Sequence, residues 1–165
     1  MKYMMKQKFW SLGNTFTIKD EHERDVFLVQ GKAFSWGDKL SFQDRDGREL
    51  AYISQKLLSW KPRYELYRDG ALFAEIVKEF TWLKSRFTLD VPGPNDYTIE
   101  GSFWEHEYSF LRTGQVVAQV SKRYWSWTDT YGVDIVEGED DVAILATCVV
   151  IDLVSHDEDG ASSST

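Results

Sequence analysis

Polar and apolar residues alternate over short runs along most of the chain, and the runs recur at a fixed interval. Residues 47–64 superimpose on 114–131 at an offset of 67, with Gly, Ala, Ser, Ser-Trp and Tyr coinciding. A third copy starts at Gly70 and continues through Phe73, Ala74, Ile76, Phe80 and Phe87. A fourth precedes the first, setting Val29 against Ile53, Trp36 against Trp60 and Leu40 against Tyr64; a degenerate fifth covers 96–110 through Ile99 and Phe110. A unit of about 23 residues therefore repeats, the length of two strands and two turns. Each unit reads as a Gly or Asp-Gly turn, an alternating strand, a Ser-Trp or charged turn and a second alternating strand. Side chains alternate across a strand, so Ala51 with Ile53, Ala74 with Ile76 and Ala118 with Val120 form one inward row. Tyr64 with Leu66, Phe87 with Leu89 and Tyr131 with Val133 form the other. Five hairpins and flanking strands predict ten to twelve antiparallel strands, and closing them into a barrel removes the exposed edges.

One segment breaks the alternation. From Glu139 to Val154 the chain opens with three acids and is then apolar on every side. Its β-branched residues favour a buried strand pair. The absence of a dividing turn, the length and the acidic start suit a helix N-terminus. A helix apolar all round must be buried all round. The small inward residues Ala51, Ala74 and Ala118 would make room for it inside a barrel.

Composition supports the strand reading and limits the function. Aromatics make up 15% of the 165 residues, with 7 Trp, 8 Tyr and 10 Phe against 3 Pro, a bias toward pleated, half-buried surface. This length supports one domain, which hides roughly two thirds of the surface its unfolded chain exposes. The net charge of −8 is unevenly spread. All 19 basic residues lie at or before Arg123, and 10 of the 27 acidic ones lie after it. Net acidity argues against nucleic acid as a partner. Cys148 is the single cysteine, so no internal disulfide forms, which fits a reducing compartment. The first twelve residues lack the apolar run of a secretory signal, and the longest apolar run, Val142 to Ile151, falls short of the roughly 18 residues that span a bilayer. Residues 156–165 carry no large apolar group and are expected to form a disordered acidic, Ser-rich tail behind a domain at 1–155.

Several of these segments together resemble the LURP-one-related branch of the tubby C-terminal-like superfamily. They are Gly37 to Leu40, Ala51 to Lys56 with Tyr64 to Leu66, Val120 to Lys122, Trp127 to Ile135, and the closing Glu139 to Asp141 with Ile151-Asp152. The resemblance runs from about Met5 to Val154. It implies a mainly β fold, a closed antiparallel barrel of about twelve strands around a central apolar C-terminal helix. It also implies a soluble or peripherally attached, cytoplasmic protein whose relatives include phosphoinositide-binding tubby domains and phospholipid scramblases. The palmitoylated Cys cluster and the C-terminal anchor of the scramblases have no counterpart here, so lipid flipping is not implied. No tubby phosphoinositide pocket matches, and no residue role is carried over from it.

The repeat also aligns cations. Lys32, Lys56, Lys78 and Arg123 fall near the ends of first strands, and Lys39, Arg63 and Arg86 near the starts of second ones. Equivalent positions of successive hairpins share a barrel rim, where Trp36, Trp60, Trp82, Trp125 and Trp127 interleave with them. The candidate ligand-binding set is Lys32, Lys39, Lys56, Arg63, Arg86, Arg123, Trp36, Trp60 and Trp127, facing an anionic phospholipid surface. The plainer reading, and the commoner fate of strand charges, is a set of outward cations that keep the barrel soluble. Asp152, the one charge late in the apolar segment, is expected to pair with a barrel Arg or Lys, or to lie near the helix end, rather than form a functional site. His22, His106 and His156 are scattered and offer no zinc spacing. Cys148 reads as inert packing. Asp44 to Gly47 has the start of a calcium loop without its later ligands, and a hairpin turn explains it. No phosphate-cradling loop or nucleophile elbow is present. The expected function is thus a non-catalytic binding module for anionic headgroups, with no cofactor and no metal. The alternatives are a protein-interaction scaffold without a lipid ligand, and a hydrolase assembled from dispersed residues at the barrel mouth.

Overall fold

A computed structural model describes residues 1–6, 15–32, 35–124 and 129–162. Its strands are β1 (Lys2–Lys6), β2 (Thr15–Asp20), β3 (Asp25–Gly31), β4 (Lys39–Asp44), β5 (Glu49–Gln55), β6 (Arg63–Arg68), β7 (Ala71–Phe80), β8 (Ser85–Asp90), β9 (Tyr97–Ser102), β10 (Glu107–Arg112), β11 (Gln115–Ser121) and β12 (Thr130–Ile135). Each pairs antiparallel with its neighbours in sequence, and β1 closes the barrel against β12 in a register running from Lys2 opposite Asp134 to Lys6 opposite Thr130. The predicted inward rows are all buried, Ala51 and Ile53 through Tyr131 and Val133.

The C-terminal segment is a helix, α1 (Asp141–Ser162), and every residue from Ala143 to Val154 is buried within the barrel. Its β-branched residues cost some intrinsic helix propensity, but a barrel lumen offers no partner for a strand's backbone, whereas a helix satisfies its own. The start is fixed locally. Asp140 Oδ1 accepts the Ala143 N–H at 3.0 Å and its carbonyl accepts that of Ile144, an N-cap arrangement. Thr147, buried mid-helix, donates its hydroxyl to the Ala143 carbonyl at 2.7 Å and so carries no unmet polar group.

The three acids also tie the helix to the barrel. Arg68 donates to Asp140 at 2.6 Å, Arg112 and Tyr97 each donate to Glu139 at 2.7 Å, and the Tyr3 hydroxyl donates to Asp141. Burial and the Glu139 carboxylate push the Tyr97 hydroxyl up to about 12. Four hairpins carry a register shift just before their turn at this end, at Ile18/Lys19, Phe42/Gln43, Leu66/Tyr67 and Phe110/Leu111. Bulges of this kind bend and twist the bulged strand, so the repeat carries the curvature that closes the sheet.

Two expectations need correction. Helix α1 continues beyond His156 to Ser162, so 156–162, expected as tail, are helical. Lys78 shares parity with Ala74 and Ile76 and points inward, not outward with the other cations. Its buried ammonium pairs with Glu158 of the last helical turns and lies 5.5 and 5.8 Å from the ring centres of Phe80 and Phe87.

Candidate functional site

The helix enters at the barrel end formed by the turns at 20–24, 44–48, 69–70 and 113–114, and its last turns emerge among the loops at 35–38, 56–62, 81–84 and 103–106. That second end carries the aromatic residues. Trp36, Trp60, Trp82 and Trp104 each sit in a different loop and are 86%, 95%, 97% and 63% exposed. Leu57, Leu58, Phe80 and Leu83 are exposed beside them. The turns at the opposite end contain no Trp. Large aromatic side chains are mostly buried at least in part, so four exposed indoles on one rim mark this end as the candidate surface.

The predicted cations lie at the same end but do not form a free belt. Arg63 donates to Glu75 at 2.9 Å and Lys56 approaches Glu65 at 3.9 Å, both partners on the strand wall. Lys32 lies over the outer face of Tyr52, 4.8 Å from the ring centre. Arg123 is largely in water, 4.0 Å from Glu107. Lys39 is half-buried and Arg86 exposed. Trp36 and Trp60 sit as expected among the loop tips, while Trp125 and Trp127 lie outside the described residues. Trp104 was not singled out by the sequence reading, although it follows Trp82 by 22 residues, as Trp82 follows Trp60.

Between the 56–62 loop and the end of α1 opens a cleft of about 340 Å³, bounded by Lys56, Trp60, Lys61 and Arg63 on one side and Asp157 and Glu158 on the other. Tyr64 at its base donates to Asp38 at 2.7 Å. Burial and the Asp38 carboxylate push the Asp157 carboxyl above its ordinary range.

A polar cluster lies deeper. Asp152 receives the Tyr131 hydroxyl at 2.6 Å on one oxygen, and its other oxygen lies 2.9 Å from His106 Nε2. The imidazole stacks on the Tyr131 ring at 4.5 Å, and its Nδ1 is buried without a hydrogen-bond partner. The expected Arg or Lys partner of Asp152 is therefore replaced by a histidine and a tyrosine. Burial, with Asp152 nearby, drives the Tyr131 and Tyr108 hydroxyls and the Cys148 thiol well up, so all three stay protonated. The cluster is closed from solvent. Among the described residues no group of three His, Cys, Asp or Glu side chains is arranged to hold a metal, and no helix is long and apolar enough to cross a membrane.

A closed twelve-stranded antiparallel barrel filled by its own C-terminal helix, with aromatic loops around the helix exit, defines the class of protein. The chain belongs to the LURP-one-related family, whose signature spans residues 1–152. It is 35% identical over 162 residues to the uncharacterised protein YxjI of Bacillus subtilis (strain 168), covering 98% of both chains. The crystal structure of a protein from Arabidopsis thaliana superimposes with a TM-score of 0.63 over 94% of this chain and 91% of that one, at 18% identity, a likeness of fold.

Proposed function

We propose that this chain is a non-catalytic module that seats on a phospholipid surface through its tryptophan rim, with the cations behind the rim reaching anionic headgroups. The observation that carries this reading is the placement of Trp36, Trp60, Trp82 and Trp104, one exposed indole per loop around a single barrel end. Indole has an apolar body and one N–H donor, and it settles at the boundary between hydrocarbon and water. Leu58 and Leu83, beside Trp60 and Trp82, supply apolar area that a purely electrostatic contact would not use. A cation near an anionic surface contributes about 1 kcal/mol, and pairing of Lys56 and Arg63 with wall carboxylates lowers their share. Apolar contact thus leads and charge adds to it.

The test is flotation of the protein with neutral and anionic vesicles at low and physiological salt. The expected outcome is binding to both surfaces, stronger on the anionic one, with salt removing only the anionic increment. Replacing Trp60 and Trp82 by Ser abolishes flotation, whereas Lys32, Arg86 and Arg123 reversed to Glu lose only the anionic preference. A protein that stays in the soluble fraction with every lipid overturns the reading and leaves the rim to a protein partner.

A further inference from the structure

We propose that the cleft between the 56–62 loop and the end of α1 takes a zwitterionic phospho-amine, a phosphodiester carrying an ammonium group. As a phospholipid headgroup it deepens the membrane reading above and rests on it; as a free phospho-amine the cleft stands alone. Both charge signs face the same space, with Lys56, Lys61 and Arg63 on the loop side and Asp157 and Glu158 on the helix side. The cations already answer carboxylates on the strand wall, since Lys61 meets Glu79 at 2.5 Å and Arg63 meets Glu75 at 2.9 Å. A multiply charged anion would therefore find half-neutralised cations and, opposite, the Asp157 carboxylate beside a Glu158 already paired with Lys78. It would also meet the end of α1, where the helix dipole is negative.

A zwitterion reverses each of these costs. Its phosphate answers Lys61 and Arg63, and its ammonium answers Asp157 and the helix end. Asp157 is held against burial and the Asp38 carboxylate, so an added cation relieves it. Trp60 at the mouth offers an indole face to a quaternary ammonium. The volume, about 340 Å³, is at the small end of ligand sites and suits a headgroup without its acyl chains.

The experiment follows the backbone amides of Ser59, Lys61 and Asp157 by NMR. The soluble probes are glycerophosphocholine, glycerophosphoethanolamine, glycerol phosphate and choline, and flotation with phosphatidylcholine vesicles runs in parallel. The zwitterions are expected to give saturable shifts at the cleft, with glycerol phosphate and choline at least about tenfold weaker, the loss of one charge-assisted contact. Asp157→Asn lowers affinity for the zwitterions about tenfold and leaves that for glycerol phosphate no weaker, since the carboxylate that opposes the anion is gone. Glycerol phosphate binding as well as the zwitterions, or Asp157→Asn without effect, overturns the proposal. Trp82→Ser separates the two readings, because Trp82 does not line the cleft. Cleft shifts without flotation of the unaltered protein support a free phospho-amine as ligand and sink the membrane reading. Flotation without cleft shifts sinks the cleft and spares the membrane reading.

Discussion

His106 and Asp152 are 46 residues apart in the chain, and their side chains meet at 2.9 Å inside the barrel, joining the β9–β10 loop to the helix. With Tyr131 on its second oxygen, Asp152 has a partner for each oxygen in a site shut off from water. Removing one side of a buried pair leaves the other uncompensated. Asp152→Ala is expected to cost about 3–5 kcal/mol by urea unfolding, and Tyr131→Phe less, roughly 1–3 kcal/mol. A cycle of Asp152→Asn with His106→Gln should show a coupling above about 0.5 kcal/mol; additive losses would mean that the two do not act as a pair.

Two glycines separate strain from space. Gly101 has φ +141°, and a Cβ there would lie 2.5 Å from the Glu107 carbonyl oxygen and 2.6 Å from Tyr108 Cα, both backbone atoms of the partner strand. Gly114 has φ +78° with open space around it. Gly114→Ala should cost about 1 kcal/mol, the conformational term alone. Gly101→Ala should cost clearly more, since the β9–β10 pairing must open. Equal thermal shifts in the two variants would contradict the geometry.

Acid stability should report on Asp20. The Arg24 guanidinium, helped by the backbone N–H groups of His22 and Arg24, holds its carboxyl at about 2. A lowered native value means that the unfolded chain binds the proton first, so the contribution is complete above about pH 4 and is lost as pH falls toward 2. Unfolding midpoints of the unaltered protein should drop over that window, and those of Asp20→Asn should drop less. Parallel curves would remove Asp20 from the account.

Alkali acts on the tyrosines with the opposite sign. Tyr3, Tyr64 and Tyr97 are held protonated by burial and by carboxylate partners on Asp141, Asp38 and Glu139. A raised native value means that stability is whole below about pH 10 and declines above it, as the unfolded chain loses protons that the folded one keeps. Titration at 295 nm should show these phenols ionising together with loss of the near-ultraviolet dichroism. Ionisation well before unfolding would show that they are not so held.

The inward alanines offer a packing test. Ala51 and Ala74 are 1% and 3% exposed on strands that surround the helix. Ala51→Leu or Ala74→Leu adds bulk to a filled lumen, and overpacking of this kind costs about 1–3 kcal/mol. The same change at Ala71, exposed at the start of β7, should be nearly neutral, and calorimetry distinguishes the two.

The barrel was readable because a strand repeats its environment every second residue, and a hairpin unit repeats it again about every 23. Ala51, Ile53, Tyr64 and Leu66 therefore predict their counterparts. Lys78 was readable by the same parity with Ile76, and grouping it with rim cations by its distance from the turn concealed this. The helical course of 156–162 was hidden because composition reports solvation, whereas extending an existing helix needs only one residue fixed at a time, and Glu158 is secured by Lys78. The meeting of His106 with Asp152 has no interval in the sequence to betray it, since barrel closure and helix insertion bring the two together. The tryptophan rim lay between these cases. Its spacing was in the sequence, and only the alternation of hairpin ends shows that four of its members crown one mouth.

The residues that fill the barrel, Ala143 to Val154, follow all twelve strands in the chain. A ribosome therefore delivers the wall before its contents. Every inward row, Ile53 and Leu66 as much as Phe87 and Phe110, must wait without its partner until the last apolar turns are made, and β1 must wait equally long for β12. The interval just before the helix emerges is when this chain most needs protection from its own sticky surfaces, and slowing synthesis at that point would lengthen it.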